Sequence, residues 1–247
     1  MTKNFLSRAA LFATSLLLSA TALASEGGNL QQSGTDLDDR ASLQRGAALY
    51  MNYCSGCHSL KYVRYARISE DLGLTEAQVM QNLNFTGGKF GDHVISAMTP
   101  AMGQAAFGKA PPDLSLIARV RGPDWIYTYL KSFYVDESRP VGWNNTLFPN
   151  VSMPNPLWQQ QGIQQPKYGP KDAAGDAPVE GFTLSQPGNQ TPQQFDRTAR
   201  DIAAFLEYAG EPAALKRKHI GVWTVLFLAF FAFLAMLLKK EFWRDVH

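Results

Sequence analysis

Cysteine occurs twice in the 247 residues, at Cys54 and Cys57, and His58 directly follows the second. The stretch Cys54-Ser55-Gly56-Cys57-His58 thus sets two thiols three positions apart with an imidazole beside them. Covalent attachment of one haem c requires that layout. Thiols so spaced reach the two vinyl groups on one porphyrin edge and form thioethers. The tether then puts the adjacent imidazole under the iron as proximal ligand. Small Ser55 and Gly56 let the backbone run close to the ring. Other chemistries open to such a pair fit less well. A thioredoxin-like redox pair belongs in a βαβ setting, and none is visible. Zinc asks for four ligands, and His93, His219 and His247 are scattered without a second cysteine pair. A disulfide closing so short a loop constrains the unfolded chain little.

A haem that only relays electrons takes a second axial ligand, and methionine raises its reduction potential. Met51 precedes the motif and Met236 lies in a long apolar run, so neither serves. Met80 falls on an amphipathic pattern, where methionine is more often core filler. Met98 and Met102 flank Pro100. Met153 sits in Asn150-Val151-Ser152-Met153-Pro154-Asn155-Pro156, a proline-stiffened loop able to hold a ligand without a helix behind it. Pattern alone leaves Met153 and the pair Met98 and Met102 open.

The elements that must position these residues read as mostly helical. Asp38 or Asp39 can cap a helix running through Leu43, Ala47, Tyr50 and Met51 into the cysteine motif. Gly46 near its middle costs helix stability, which close approach of another helix would explain. Glu70 to Leu83 reads as a second helix, with Thr75 as a possible cap, Asn84 to Gly91 as loop and Asp92 to Met98 as a short helical turn. Ala110-Pro111-Pro112-Asp113-Leu114-Ser115 is a turn opening a helix from which Arg119 and Arg121 emerge. Asp124 then caps an aromatic-rich helix from Trp125 to Tyr134. Val135 to Gln190 is rich in Pro, Gly, Asn and Gln, with a short strand at Phe182 to Leu184. So long an irregular stretch is usually functional. Thr191-Pro192-Gln193-Gln194 is a capping box with proline at the first helical position. An apolar stripe follows through Phe195, Ala199, Ile202, Ala203, Leu206 and Ala209 to Gly210, the natural mate for the helix carrying Gly46.

Both ends of the chain read as membrane-related. Lys3 and Arg8, an apolar core and Ala22-Leu23-Ala24 make residues 1–24 a cleaved signal peptide. Ile220 to Leu238 is uncharged over 19 residues, roughly 28 Å of helix and one hydrocarbon core. Basic flanks and Trp223 and Trp243 suit the two interfaces. The formal charge of +2 is unevenly spread. Between Ser25 and Leu215 stand 15 basic and 19 acidic side chains, and the basic excess sits at the C-terminal end. A mildly acidic body argues against nucleic acid and suits a basic protein partner.

Four features in order, followed by the single anchor, resemble the cytochrome c1 family. They are Cys54-Ser55-Gly56-Cys57-His58-Ser59-Leu60, Ala110-Pro111-Pro112-Asp113-Leu114-Ser115, Met153-Pro154, and Ala203-Ala204-Phe205-Leu206-Glu207-Tyr208-Ala209-Gly210-Glu211-Pro212. The resemblance covers about Leu43 to Leu238. It implies a mostly α c-type cytochrome domain with long irregular loops and one C-terminal transmembrane helix. It implies that Met153 is the sixth ligand, that Arg121 pairs with a haem propionate, and that Pro111 and Pro112 line the haem pocket. The implied function is electron relay within the cytochrome bc1 complex (quinol–cytochrome c oxidoreductase), beside cytochrome b. A Rieske iron–sulfur protein would be the donor and a soluble c-type cytochrome the acceptor. The subunit would carry electrons without an active site of its own. The implied layout is a periplasmic haem domain at 25–215, and an anchor with a short cytoplasmic tail at 216–247, in a bacterial inner membrane. The sequence departs from the family pattern at Asn155, between Pro154 and Pro156, and lacks an extra cysteine pair that some members carry. Rival readings are another membrane-tethered c-type cytochrome, a haem enzyme or sensor with an open iron face, and a thiol–disulfide oxidoreductase.

Overall fold

The computed structural model describes residues 30–171 and 177–245, so the expected signal peptide lies outside the described residues. About half of the described residues are helical, with three two-stranded antiparallel sheets between the helices. The centre is a crossing of two helices. Helix α1, Arg40–Tyr53, is capped by the Asp39 carboxylate, which accepts from the Ser42 amide. Its partner, called α8 below, spans Pro192–Gly210 and starts with the expected Thr191 capping box. At the crossing a Cβ on Gly46 would lie 2.0 Å from the Asp201 carbonyl oxygen, so only glycine lets the backbones meet there. Leu43, Ala47, Tyr50, Ile202, Ala203 and Phe205 are buried around it. Tyr50 and Phe205 touch ring to ring at 5.6 Å. Buried Asp201 accepts from the Ser42 hydroxyl at 2.6 Å and from Arg45, which ties the same two helices by charge.

Several local expectations are corrected. The helix expected over Glu70 to Leu83 is two, α2 (Tyr65–Leu72) and α3 (Glu76–Asn82). Gly73, with φ +66°, ends the first in the left-handed region, and Thr75 caps the second. The helical turn expected at Asp92 to Met98 instead holds strand β2 (His93–Val94), which pairs with β1 (Leu60–Arg64). A short helix α4 (Pro100–Phe107), capped by Thr99, was not foreseen. After α5 (Ile117–Arg121), α6 spans Pro123–Lys131, starting before Asp124 and stopping short of Tyr134. Asp124 instead holds the Ser33 amide and hydroxyl.

The stretch expected to be irregular is more ordered than its composition suggests. It contains β4 (Trp143–Asn145), which pairs with β3 (Phe133–Val135) at the start of the stretch, where a helix end was expected, then the helical turn α7 (Trp158–Gln161) and the hairpin β5 (Gly162–Tyr168) and β6 (Val179–Pro187). Phe182 to Leu184 lies within β6, as a strand. Helix α9, Ala214–Phe242, follows α8 and is long and apolar enough to cross a membrane. Its large apolar side chains, Phe227, Phe230, Phe231 and Phe233 among them, are exposed. A helix that is apolar all round needs lipid or another protein to cover it. Glu211 accepts from both Arg119 (3.2 Å) and Arg217, and Lys216 pairs with Glu70, so five charges brace the root of this helix.

Candidate haem site

The cysteine motif is the unwinding end of α1. Cys54 is its C-cap, and the Cys54 and Ser55 amides both donate to the Tyr50 carbonyl. The Cys57 and His58 amides then close a turn onto the Cys54 carbonyl at 3.0 and 2.8 Å. Ser55 turns inward, its hydroxyl donating to the Met51 carbonyl, whereas a Cβ on Gly56 would meet nothing within 4 Å. The turn is tied to its surroundings at both ends. Tyr50 donates its hydroxyl to the His58 carbonyl at 2.7 Å, and Ser96 donates to the Gly56 carbonyl at 2.7 Å.

Cys54 and Cys57 are not joined by a disulfide. Burial pushes the Cys54 thiol up to about 12, with the neighbouring Cys57 adding to it, and burial also raises Cys57. A thiol–disulfide oxidoreductase needs the opposite, a thiol lowered toward neutrality.

His58 is buried, and its ring nitrogen Nδ1 lies 2.7 Å from the Pro112 carbonyl oxygen. A carbonyl only accepts, so Nδ1 carries the proton and the Nε2 lone pair is left for a metal. Burial lowers the imidazole's proton affinity, partly offset by that bond and by Asp113, which favours the neutral, ligating form. The Pro112 carbonyl is itself held in place. The Asp113 carboxylate accepts the Lys61 and Ser115 amides, the Leu114 amide donates to the Ser59 carbonyl, and the Ser115 hydroxyl takes the Tyr62 amide. Pro111 is backed by α4, where a Cβ on Gly103 would lie 2.4 Å from Pro111 Cδ. The Pro-Pro-Asp turn therefore works as a strap across the residues that follow His58.

The same segment leads to Met153. Arg121 is exposed, with its guanidinium carbon 5.4 Å from the Trp125 ring centroid. Among the described residues it makes no ion pair. Trp125 stacks on Tyr129 at 4.9 Å, and the Tyr129 hydroxyl donates to Met153 Sδ at 3.5 Å. The Met153 loop is pinned before and after that residue. Asn150, at φ +64°, is gripped by Arg139 and donates to the Asn144 side chain. Asn155 is buried, accepts the Leu157 amide and donates to Gln161. The residue that departs from the family pattern is thus a structural anchor of the loop. Of the other methionines, Met102 is 56% exposed on α4. Met80 is half-buried, with the Asn84 amide 3.9 Å from its sulfur, rather than part of the apolar core.

Sequence reasoning missed Trp125 and Tyr129. Successive steps of four from Arg121 to Trp125 and on to Tyr129, on a segment that reads as aromatic-rich, were the signal that could have found them.

Two unlinked thiols, an imidazole with one nitrogen committed to a carbonyl, and an arginine with no ion pair among the described residues suit a covalently tethered haem. That donor set defines the class of c-type haem proteins. Sequence comparison sharpens the class. The model of the Cytochrome C1 family matches residues 32–168 and 180–246, and the chain belongs to that family. Cytochrome c1 of Allochromatium vinosum is 51% identical over 97% of this chain and 100% of its own length. The ammonia monooxygenase gamma subunit of Nitrosomonas europaea is 40% identical, covering 88% of this chain and 89% of its own. Cytochrome b/c1 of Bradyrhizobium diazoefficiens is 27% identical over 85% of this chain but 34% of its own length. The chain is accordingly an electron-transfer haem protein, and its family implies haem c.

Proposed function

We propose that this chain is the haem-bearing subunit of a cytochrome bc1 complex, taking electrons from a Rieske iron–sulfur protein and handing them to a soluble c-type cytochrome. The His58–Pro112 contact carries the reading: an imidazole at the end of the cysteine turn whose second nitrogen is already committed. Haem c, when bound, supplies a one-electron iron couple. Cys54 and Cys57 would hold it covalently, and His58 Nε2 and Met153 Sδ would bind its iron. Arg121, which has no carboxylate partner among the described residues, would answer a propionate with a forked donor. Pro111 and Pro112 would line the pocket on the His58 side. With His58 and Met153 both holding the iron, no open site would be left for a substrate, so the chain would relay electrons without acid–base chemistry of its own.

The name of the Bradyrhizobium relative supports a setting with cytochrome b. In this reading residues 1–24 are a cleaved signal peptide, 25–215 the periplasmic domain, and 216–247 the anchor with a cytoplasmic tail in a bacterial inner membrane. The acidic excess of the body would favour approach of a basic cytochrome. The experiment is purification of the full chain from its native membranes in detergent, with haem staining and a quinol-reduction spectrum. Co-purified cytochrome b and iron–sulfur protein, with a covalent low-spin haem reduced by quinol, is the expected outcome. Covalent haem with other partners, or haem that quinol leaves oxidised, overturns the bc1 assignment.

A further inference from the structure

The phenol of Tyr129 is held on several sides. Its ring stacks on Trp125 at an interplanar angle of 11° and meets Phe133 edge-on at 5.0 Å. Its carbonyl accepts from the Asn145 side chain at 2.9 Å, which fixes the end of α6 against β4. With the ring immobilised, only the hydroxyl proton can rotate, and its acceptor is Met153 Sδ at 3.5 Å. The sulfur sits between two anchored asparagines, Asn150 and Asn155, so donor and acceptor are each fixed independently. A thioether sulfur has two lone pairs, and a hydrogen bond occupies one of them.

We propose that Tyr129 is a positioning residue for the sixth ligand, holding one lone pair of Met153 Sδ while the other is left for iron. This rests on Met153 being that ligand. The bond has an electronic consequence as well as a steric one. A hydroxyl proton draws density from the sulfur and makes it a poorer donor. Ferric iron, with one more positive charge than ferrous, loses more from a poorer donor, so the bond favours the reduced state and raises the potential. A tyrosine that only filled space between Trp125 and Phe133 would leave the potential alone when its hydroxyl was removed.

The test is a potentiometric titration of the full-length holoprotein in detergent, comparing the parent with Tyr129→Phe. That change keeps both ring contacts and deletes the hydroxyl. The oxidised-to-reduced ratio at a fixed applied potential should rise roughly threefold, a fall of about 28 mV at 59 mV per decade. The far-red absorption of ferric iron bound to methionine should persist. Site-specific 3-fluorotyrosine at 129, nearly the same shape with a stronger donor, should move the potential the other way, and it keeps the test alive if Tyr129→Phe fails to fold. No shift in either protein, or shifts of the same sign, overturns the inference. Met153→Leu separates the two layers. If it abolishes the far-red band, Met153 is the ligand and the Tyr129 result stands on its own. If the band and the potential survive, the ligand assignment fails and takes this inference with it.

Discussion

Replacing Gly46 with alanine asks whether the α1–α8 contact sets the position of the cysteine turn. The added Cβ would lie 2.0 Å from the Asp201 carbonyl oxygen and 2.8 Å from both its carbon and Phe205 Cβ, where ordinary contact starts at 3.4 Å. Two of these three are backbone atoms, so no rotamer change relieves the clash, and the helices must part by about 1 Å or more. Overpacking of this kind costs about 1–3 kcal/mol, and backbone against backbone belongs near ~3. Alanine regains ~1 kcal/mol of helix propensity over glycine, which leaves a net loss of about 2 kcal/mol. For a chain of this size that is a fall of roughly 4–8 °C in Tm. The assay is thermal unfolding of the detergent-solubilised holoprotein at one scan rate, followed by circular dichroism in the helical and Soret regions. Because α1 ends at Cys54, the Soret signal should change shape before unfolding begins. A Gly46→Ala protein as stable as the parent or more so, with an unchanged Soret signal, would show that propensity governs the site and refute the reasoning.

Three further perturbations follow from named contacts. Asp113→Ala strips the Lys61 and Ser115 amides of their acceptor. It should cost about 1–2 kcal/mol and speed hydrogen exchange at those two amides, because charged acceptors make the stronger bonds; unchanged exchange would mean that the strap is held without Asp113. Hydrogen bonds from Ser138 and Asn144 hold the Asp136 carboxyl below the ordinary aspartate value of 3.8. Its contribution is therefore present above pH 3.8 and lost as pH falls through the depressed folded value. Amide protection in the β3–β4 hairpin should drop in that acid window, and Asp136→Asn should flatten the dependence. Glu211→Gln weakens the brace between Arg119 and Arg217 at the root of α9. Being partly solvated, it should cost less than ~1 kcal/mol, and less again at high salt; a larger loss independent of salt would contradict a screened ion pair.

The residues that can bind haem are adjacent in the chain, so their chemistry was legible in the sequence. The spacing of Cys54, Cys57 and His58 is by itself compatible with haem attachment, and the four-part order of motifs stated the family. Local signals also fixed what they physically control. Asp39 and Thr191 cap their helices because a cap needs only the next three amides. Gly46 announced a close crossing because nothing within its own helix favours glycine. The long apolar run gave α9.

Elsewhere a neighbour distant in the chain had the last word. His93 and Val94 form a strand because Leu60 to Arg64 lies beside them, a pairing that no local pattern contains. The Pro- and Gly-rich stretch after Val135 supplies strand β4 to a hairpin begun at Phe133, and the whole β5–β6 hairpin, through pairings its composition does not announce. At the site, the sequence left Met153 and the pair Met98 and Met102 open, since any flexible sulfur on a loop can be written as a ligand. The tertiary structure puts Met153 under the Tyr129 hydroxyl and between anchored asparagines, Met102 on an exposed helix and Met98 half-buried, which supports Met153 as the proposed ligand. Only it shows which nitrogen of His58 is free, because the atom that takes the other belongs to Pro112, 54 positions along the chain. Hydrogen bonds of this length are set by the path of the backbone through space, and spacing along the sequence carries no record of it.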